Sequence, residues 1–226
     1  MRNRLPENLQ AGRDRWNGSS IGPRLKPAMV ALTRGERKQL REDIYYLNMG
    51  ELRRFCEARA IPYRIHVESG DGRIVRTRDA DRKGVVIDRI LHFISTGLIK
   101  PKTIFRQSVI STERQGRPPV ESDRVLYRRY RNHDPEILKL MKRLTPGKFN
   151  FGAIAQEVLR AHWSRNAAPT YREFANLWEK ATAEHSGPNP EWAFLSDLAK
   201  GSGGPDWKKL RTQKAAAVIA ILKKIS

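Results

Sequence analysis

A single cysteine, Cys56, rules out an intramolecular disulfide and a cysteine-rich zinc site. No apolar run approaches the roughly 18 residues of a membrane span, so no membrane partner is expected. The opening MRNRLPENLQAGRDRWNGSS lacks the apolar centre of a secretory signal, which makes the cytoplasm the expected location. Catalytic signatures are missing as well. There is no GxxxxGK[ST], no GxSxG and no HExxH, and Gly201-Ser202-Gly203-Gly204 runs into Pro205 without a lysine-hydroxyl pair. His66, His92, His133, His162 and His185 are scattered, with no metal-ligand spacing. The expectation is a non-enzymatic protein with no cofactor and no metal.

Acidic residues are also in short supply. Against 24 of them stand 44 lysines and arginines, a formal net charge of +20 in 226 residues. Lys and Arg on phosphates release condensed counterions, so this balance favours a polyanionic partner, nucleic acid above all. The plainer alternative is a soluble basic protein whose arginines solvate its surface. With 39% hydrophobic and 30% charged residues, modest cores joined by exposed linkers are expected.

Residues 1–30 are rich in Gly, Pro, Ser, Asn and Arg without periodicity and read as a disordered basic arm. Order begins at the capping box Thr33-x-x-Glu36, followed by Leu40, Ile44 and Leu47 on one stripe, with Arg37, Lys38 and Arg41 outside. Asn48-x-x-Glu51 opens a second helix carrying Leu52, Phe55, Cys56 and Arg59 and ended by Pro62. Cys56 sits on the apolar stripe, where a buried thiol is expected. Segments 63–67 and 73–76 flank Ser69-Gly70-Asp71-Gly72 and read as a short hairpin. The next helix starts near Asp79 or Asp81, turns Val86, Ile87, Ile90, Leu91 and Ile94 inward, and stops at Gly97.

Residues 100–133 read as a basic linker ending in Tyr127-Arg128-Arg129-Tyr130-Arg131. A helical domain of unknown role is expected over 134–226. Asp134-Pro135, Thr170-x-x-Glu173 and Asn189-Pro190 start helices in it, and a last helix from Asp206 buries Leu210, Val218, Ile221, Leu222 and Ile225. The fold class is mainly α: a helix-loop-helix module over 31–99 with a small β-hairpin insert, then the C-terminal helical domain.

Residues 47–93 resemble the SAP motif, a helix, extended loop, helix unit of proteins that bind double-stranded DNA. The likeness rests on the cap Asn48 and the acidic-Leu-basic trio Glu51, Leu52 and Arg53. It continues through Cys56, Arg59 and the step Ile61-Pro62, and then Lys83, Val86, Ile87, Arg89 and Ile90. It covers about a fifth of the chain. Ala60 stands where the family usually has glycine, and the loop is about fifteen residues longer than usual. The resemblance implies binding of duplex DNA with little sequence preference.

The residues carry the same expectation without the family. A helix N-terminus offers free N–H groups and partial positive charge, and Arg82 and Lys83 add full charges there. Arg53 on the first helix and Arg64, Arg73, Arg76 and Arg78 on the insert complete the expected DNA-binding set. Asp79, Asp81 and Asp88 stand beside this cluster and could neutralise it through local salt bridges.

Two alternatives stay open. The Tyr127–Arg131 run interleaves aromatic and basic residues, as an RNA or single-strand binder would, or packs its tyrosines as an amphipathic start to the next helix. A scaffold protein would instead use its C-terminal domain to hold a protein partner through Trp163, Trp178 or Trp192. Two helices over 153–163 and 170–181 could form a helix-turn-helix, but the second is aromatic and nearly neutral, and Phe174, Leu177 and Trp178 suit a core better.

Overall fold

Capping residues open four helices where the sequence places them, in a computed structural model that describes residues 32–112, 117–184 and 205–225. Helix α1 (Arg34–Asp43) starts from the reciprocal Thr33–Glu36 box, and α2 (Met49–Ala58) from the Asn48–Glu51 box. A 3-10 turn, Ile44–Tyr46, joins them. Strands β1 (Arg64–Glu68) and β2 (Ile74–Ala80) pair antiparallel, and Gly72 (φ 78°) supplies the positive φ at the tip. Helix α3 (Lys83–Thr96) ends on Gly97 at φ 71°. It starts later than expected, because β2 continues to Ala80.

Strand β3 (Ile104–Phe105) adds to β1 in parallel, giving the order β2-β1-β3. Helices α4 (Pro135–Leu144), α5 (Ala153–Ser164), α6 (Tyr171–Glu184) and α7 (Pro205–Lys224) follow. Asp134 caps α4 ahead of its N1 proline, and Thr170 with Glu173 forms the third box at α6. The chain is mainly helical with a small sheet. The basic arm and the Asn189-Pro190 start lie outside the described residues. Among the described residues no helix is long and apolar enough to cross a membrane, and no group of metal-ligating side chains is found.

The buried side chains form two cores, and their membership departs from the linear reading. The first gathers Leu40, Ile44 and Leu47, then Leu52, Phe55 and Cys56 of α2 and Val86, Ile87, Ile90 and Ile94 of α3. Helix α7 belongs to this core, through Ala215, Val218, Ile221, Leu222 and Ile225. It is not part of a C-terminal unit over 134–226, and Leu210, expected inside, is 41% exposed. Ion pairs between Lys214 and Asp43, Arg211 and Glu51, and Lys224 and Glu36 fasten α7 to α1 and α2. The Lys224 hydrogen bond, with those of the Thr33 cap, pulls the Glu36 carboxyl down to about 2.

The second core lies under the inner face of the sheet. Ile65, Val67 and Phe105 pack there with Val109, Ile110, Val125 and Tyr130 and with the apolar faces of α4, α5 and α6. Residues 100–133 are therefore not a linker, since they supply five of these buried side chains. The hairpin inserted between two helices of the first core is the floor of the second, so the insert joins the two cores.

Burial settles three further readings. Cys56 is fully buried, and desolvation pushes its thiol up to about 12, well away from a reactive thiolate. Phe174 and Trp178 are core residues, and Leu177 packs partly against that core. Trp163 is buried too, its Nε1 donating to the Val125 carbonyl at 2.8 Å. Two of the three tryptophans considered for a protein partner are thus structural, and Trp192 lies outside the described residues.

Where the chain leaves α2, Ala60 stands at φ 54°, the left-handed region that favours glycine. The Ile61 N–H donates to the Cys56 carbonyl at 2.9 Å and the Ala60 N–H to Glu57 at 3.4 Å, the double bond of a glycine-type helix stop. The turn keeps its geometry and alanine carries the strain, which costs roughly 1–2 kcal/mol. Ala60→Gly is therefore expected to stabilise the protein by about 0.5–1 kcal/mol, after the added entropy of an unfolded glycine is subtracted. A denaturant midpoint that stays put or falls would count against it.

Candidate nucleic-acid interface

Strand alternation sorts the charges of the sheet. Ile65 and Val67 of β1 are buried, which turns Arg64, His66 and Glu68 to the opposite, half-exposed face. Arg76 pairs with His66 across β2, and Ile104 pairs with it across β3. The same period of two puts Lys102 and Arg106 on either side of Ile104. The outer face thus carries Arg64, Arg76, Lys102 and Arg106 around His66, with Glu68 as the carboxylate among them. Glu68 is taken up by Arg106 at 3.3 Å and by the Gln107 N–H at 3.1 Å. Arg76 and Lys102 are exposed and have no ion-pair partner among the described residues.

The edge of this face is built on Tyr63. The guanidinium of Arg53, from α2, lies 5.9 Å from the ring centroid and that of Arg64 lies 5.3 Å from it. The Tyr63 hydroxyl donates to Glu57, which orients the ring. Arg64 Nη1 donates to the Arg78 carbonyl at 3.1 Å, just past the irregularity in the β1–β2 register, and the Arg78 side chain is exposed. The Nε atoms of Arg53 and Arg64 are buried and meet no acceptor. Four of the expected residues, Arg53, Arg64, Arg76 and Arg78, therefore fall together.

The other three do not join them. Arg73 sits at the hairpin tip, paired with Asp71 at 2.5 Å. Ser69 and the Arg73 backbone N–H hold the Asp71 carboxyl below the ordinary carboxylate range. Arg82, whose side chain is only 16% exposed, forms an ion pair with Glu157 of α5 at 2.6 Å. Lys83 Nζ donates to the Tyr45 carbonyl. Arg160 of α5 reaches the Ala80 carbonyl at 3.0 Å beside them. Of the two charges expected to build a phosphate site at the start of α3, Arg82 ties the helix to α5 of the second core and Lys83 is bound within the first.

Among the described residues none of the three nearby aspartates forms an ion pair with the clustered arginines. Asp79 accepts from the Tyr127 hydroxyl, Asp81 pairs with the buried Arg89 at 2.5 Å, and Asp88 pairs with Lys100 at 2.6 Å. Each has a partner elsewhere.

The Tyr127–Arg131 run offers no stacking platform. Tyr127 packs edge-on against Phe105 and Trp163, with centroids 5.0 and 5.6 Å away. Burial and the Asp79 hydrogen bond push its hydroxyl up to about 12. Tyr130 is buried against Phe151 and Phe174. A second basic surface lies on α1, where Arg34, Arg37, Lys38 and Arg41, with Glu42, line an open depression of about 490 Å³.

Sequence reasoning missed Lys102, Arg106 and His66. Their signal is the alternation Lys102-Thr103-Ile104-Phe105-Arg106, which reads as one short strand with a basic outer side. No protein-family model, curated protein or solved structure matches the chain.

Proposed function

We propose that the protein binds double-stranded DNA through the phosphate backbone, with little sequence preference, using the outer face of its three-stranded sheet. The observation that carries this reading is the cluster of Arg53, Arg64, Arg76, Arg78 and Lys102 around Tyr63 and His66, five cations that form no ion pair among the described residues. Supporting it are the formal +20 charge and the resemblance of residues 47–93 to the SAP motif. The contact surface differs from the one that resemblance implies: it sits on the inserted sheet, and Arg82 and Lys83 have no part in it. Packing of Tyr127 and Tyr130 favours duplex over single strand, because stacking on unpaired bases needs free aromatic faces. The α1 stripe adds sequence-independent affinity.

Fluorescence anisotropy with the full-length chain and a labelled duplex tests the reading. With about five phosphates neutralised, log K is expected to fall against log salt with a slope near −4.5. Reversing Arg76 and Lys102 together to Glu lowers affinity about 100-fold at low salt and makes the slope shallower by about two. The same double reversal at Lys139 and Lys142 on α4 changes net charge equally and is expected to cost less than about fivefold. Equal losses from the two variants, or affinity indifferent to salt, would reject the sheet as the interface.

A further inference from the structure

His66 is the titratable group at the centre of the basic face. Its Nδ1 lies 3.1 Å from the Arg64 carbonyl oxygen. A carbonyl only accepts, so Nδ1 carries the proton in the neutral ring and Nε2 is the basic nitrogen. Nε2 has no hydrogen-bond partner among the described residues. The backbone is held on both sides: the His66 N–H donates to the Thr103 carbonyl at 2.9 Å, and Arg76 stands opposite on β2.

The charged groups on the face around the ring are Arg64 and Glu68 from β1, Arg76 from β2, and Lys102 and Arg106 on either side of β3, with Asp81 bearing on it from the link into α3. Asp81 is already paired with Arg89, whereas Arg76 and Lys102 are free of carboxylates among the described residues.

We propose that His66, Arg76 and Lys102 form a seat for a phosphate group, in which His66 Nε2 takes up a proton from solvent as the group arrives. The seat deepens the duplex-binding reading and rests on it for the source of the phosphate, a backbone phosphodiester. Without an anion, burial and the charges of Lys102 and Arg76 hold the imidazole below its ordinary value, so the ring is neutral at pH 7. An oxyanion among the three side chains cancels that repulsion and accepts a hydrogen bond from the new Nε2–H, which favours the imidazolium. Binding and protonation are then coupled. Affinity rises as pH falls through the window between the lowered free value and the raised bound one.

The test follows the His66 ring resonance by NMR in the full-length chain across pH, at constant ionic strength. It is run without added anion, with a short duplex, and with sulfate, which keeps its charge throughout the range. The resonance is assigned by its loss in His66→Gln. The expected result is an apparent His66 pKa raised by about one unit on saturation, with about fivefold tighter duplex binding near pH 5.5 than near pH 8. His66→Gln loses most of the pH-dependent gain, so that its affinities near pH 5.5 and pH 8 differ by less than about twofold.

If the duplex binds but His66 titrates unchanged with both anions, the seat is wrong and duplex binding stands. If the duplex fails to bind at any pH while sulfate raises the His66 value, the duplex reading falls and the seat remains as a site for free oxyanions. A full pH gain in His66→Gln overturns the seat outright.

Discussion

Arg89→Ala is expected to lower the unfolding free energy by about 3–5 kcal/mol. The side chains of Arg89 and Asp81 are each 5% exposed and meet at 2.5 Å. The same guanidinium donates to the Pro62 carbonyl at 2.9 Å and to Thr103 Oγ1 at 2.8 Å. One side chain of α3 therefore ties together the exit from α2, the return from β2 and the approach to β3. These are the three points where the inserted sheet leaves and rejoins the first core. Alanine strands the Asp81 carboxylate in a dry site and frees all three connections. Asp81→Asn keeps a neutral acceptor for Arg89 and is expected to cost less, about 1–3 kcal/mol. Urea unfolding followed by circular dichroism orders the variants. If both fall within about 0.5 kcal/mol of the parent chain, the pair does not lock the insert in place.

The second large effect is expected on α7. Val218 is fully buried against the first core, and Val218→Asp puts a carboxylate there with no partner. The expected loss is about 4 kcal/mol or more, in the range reserved for unpaired buried charge. Removing residues 205–226 goes further, since it uncovers the apolar face of α1 and of the 3-10 turn that follows it. That shortened chain is expected to bind a hydrophobic dye and to lose cooperative unfolding of the first core, while Trp163 and Trp178 still report a folded second core. If it instead unfolds as cooperatively as the full chain, α7 is an accessory. An excised 31–99 segment carries the same uncovered face, so DNA binding is best measured on the whole protein.

Local structure was largely legible in the sequence because its causes are local. A capping box needs two residues three apart, and all three described boxes form where their letters stand. The apolar stripes of α1, α2 and α3 and the stop at Gly97 follow from helical period and a free φ. Ala60 shows where such reasoning falls short. Alanine stands where the SAP motif usually has glycine, yet the Ile61 and Ala60 bonds to α2 hold the left-handed geometry and leave the strain in place.

The candidate site was legible only in part. Arg76 and Arg78 lie on a strand whose face follows from alternation. Whether the three aspartates pair with the cluster stayed open, because ion pairing depends on where the side chains are carried by the fold. Asp79 was claimed by Tyr127, 48 residues on, and Asp81 by Arg89, two turns into α3.

By itself, then, the sequence determined a mainly helical chain, a hairpin between two capped helices and an excess of positive charge. Tertiary structure alone decided which of those charges stay available. Arg82 and Arg76 are both arginines of the same basic segment, and nothing within a few residues of either tells them apart. Glu157, 75 positions beyond Arg82 and on a helix of the other core, closes one of them, while the edge of the sheet leaves the other in solvent. Burial and long-range pairing depend on how the two cores meet, and that depends on every element at once.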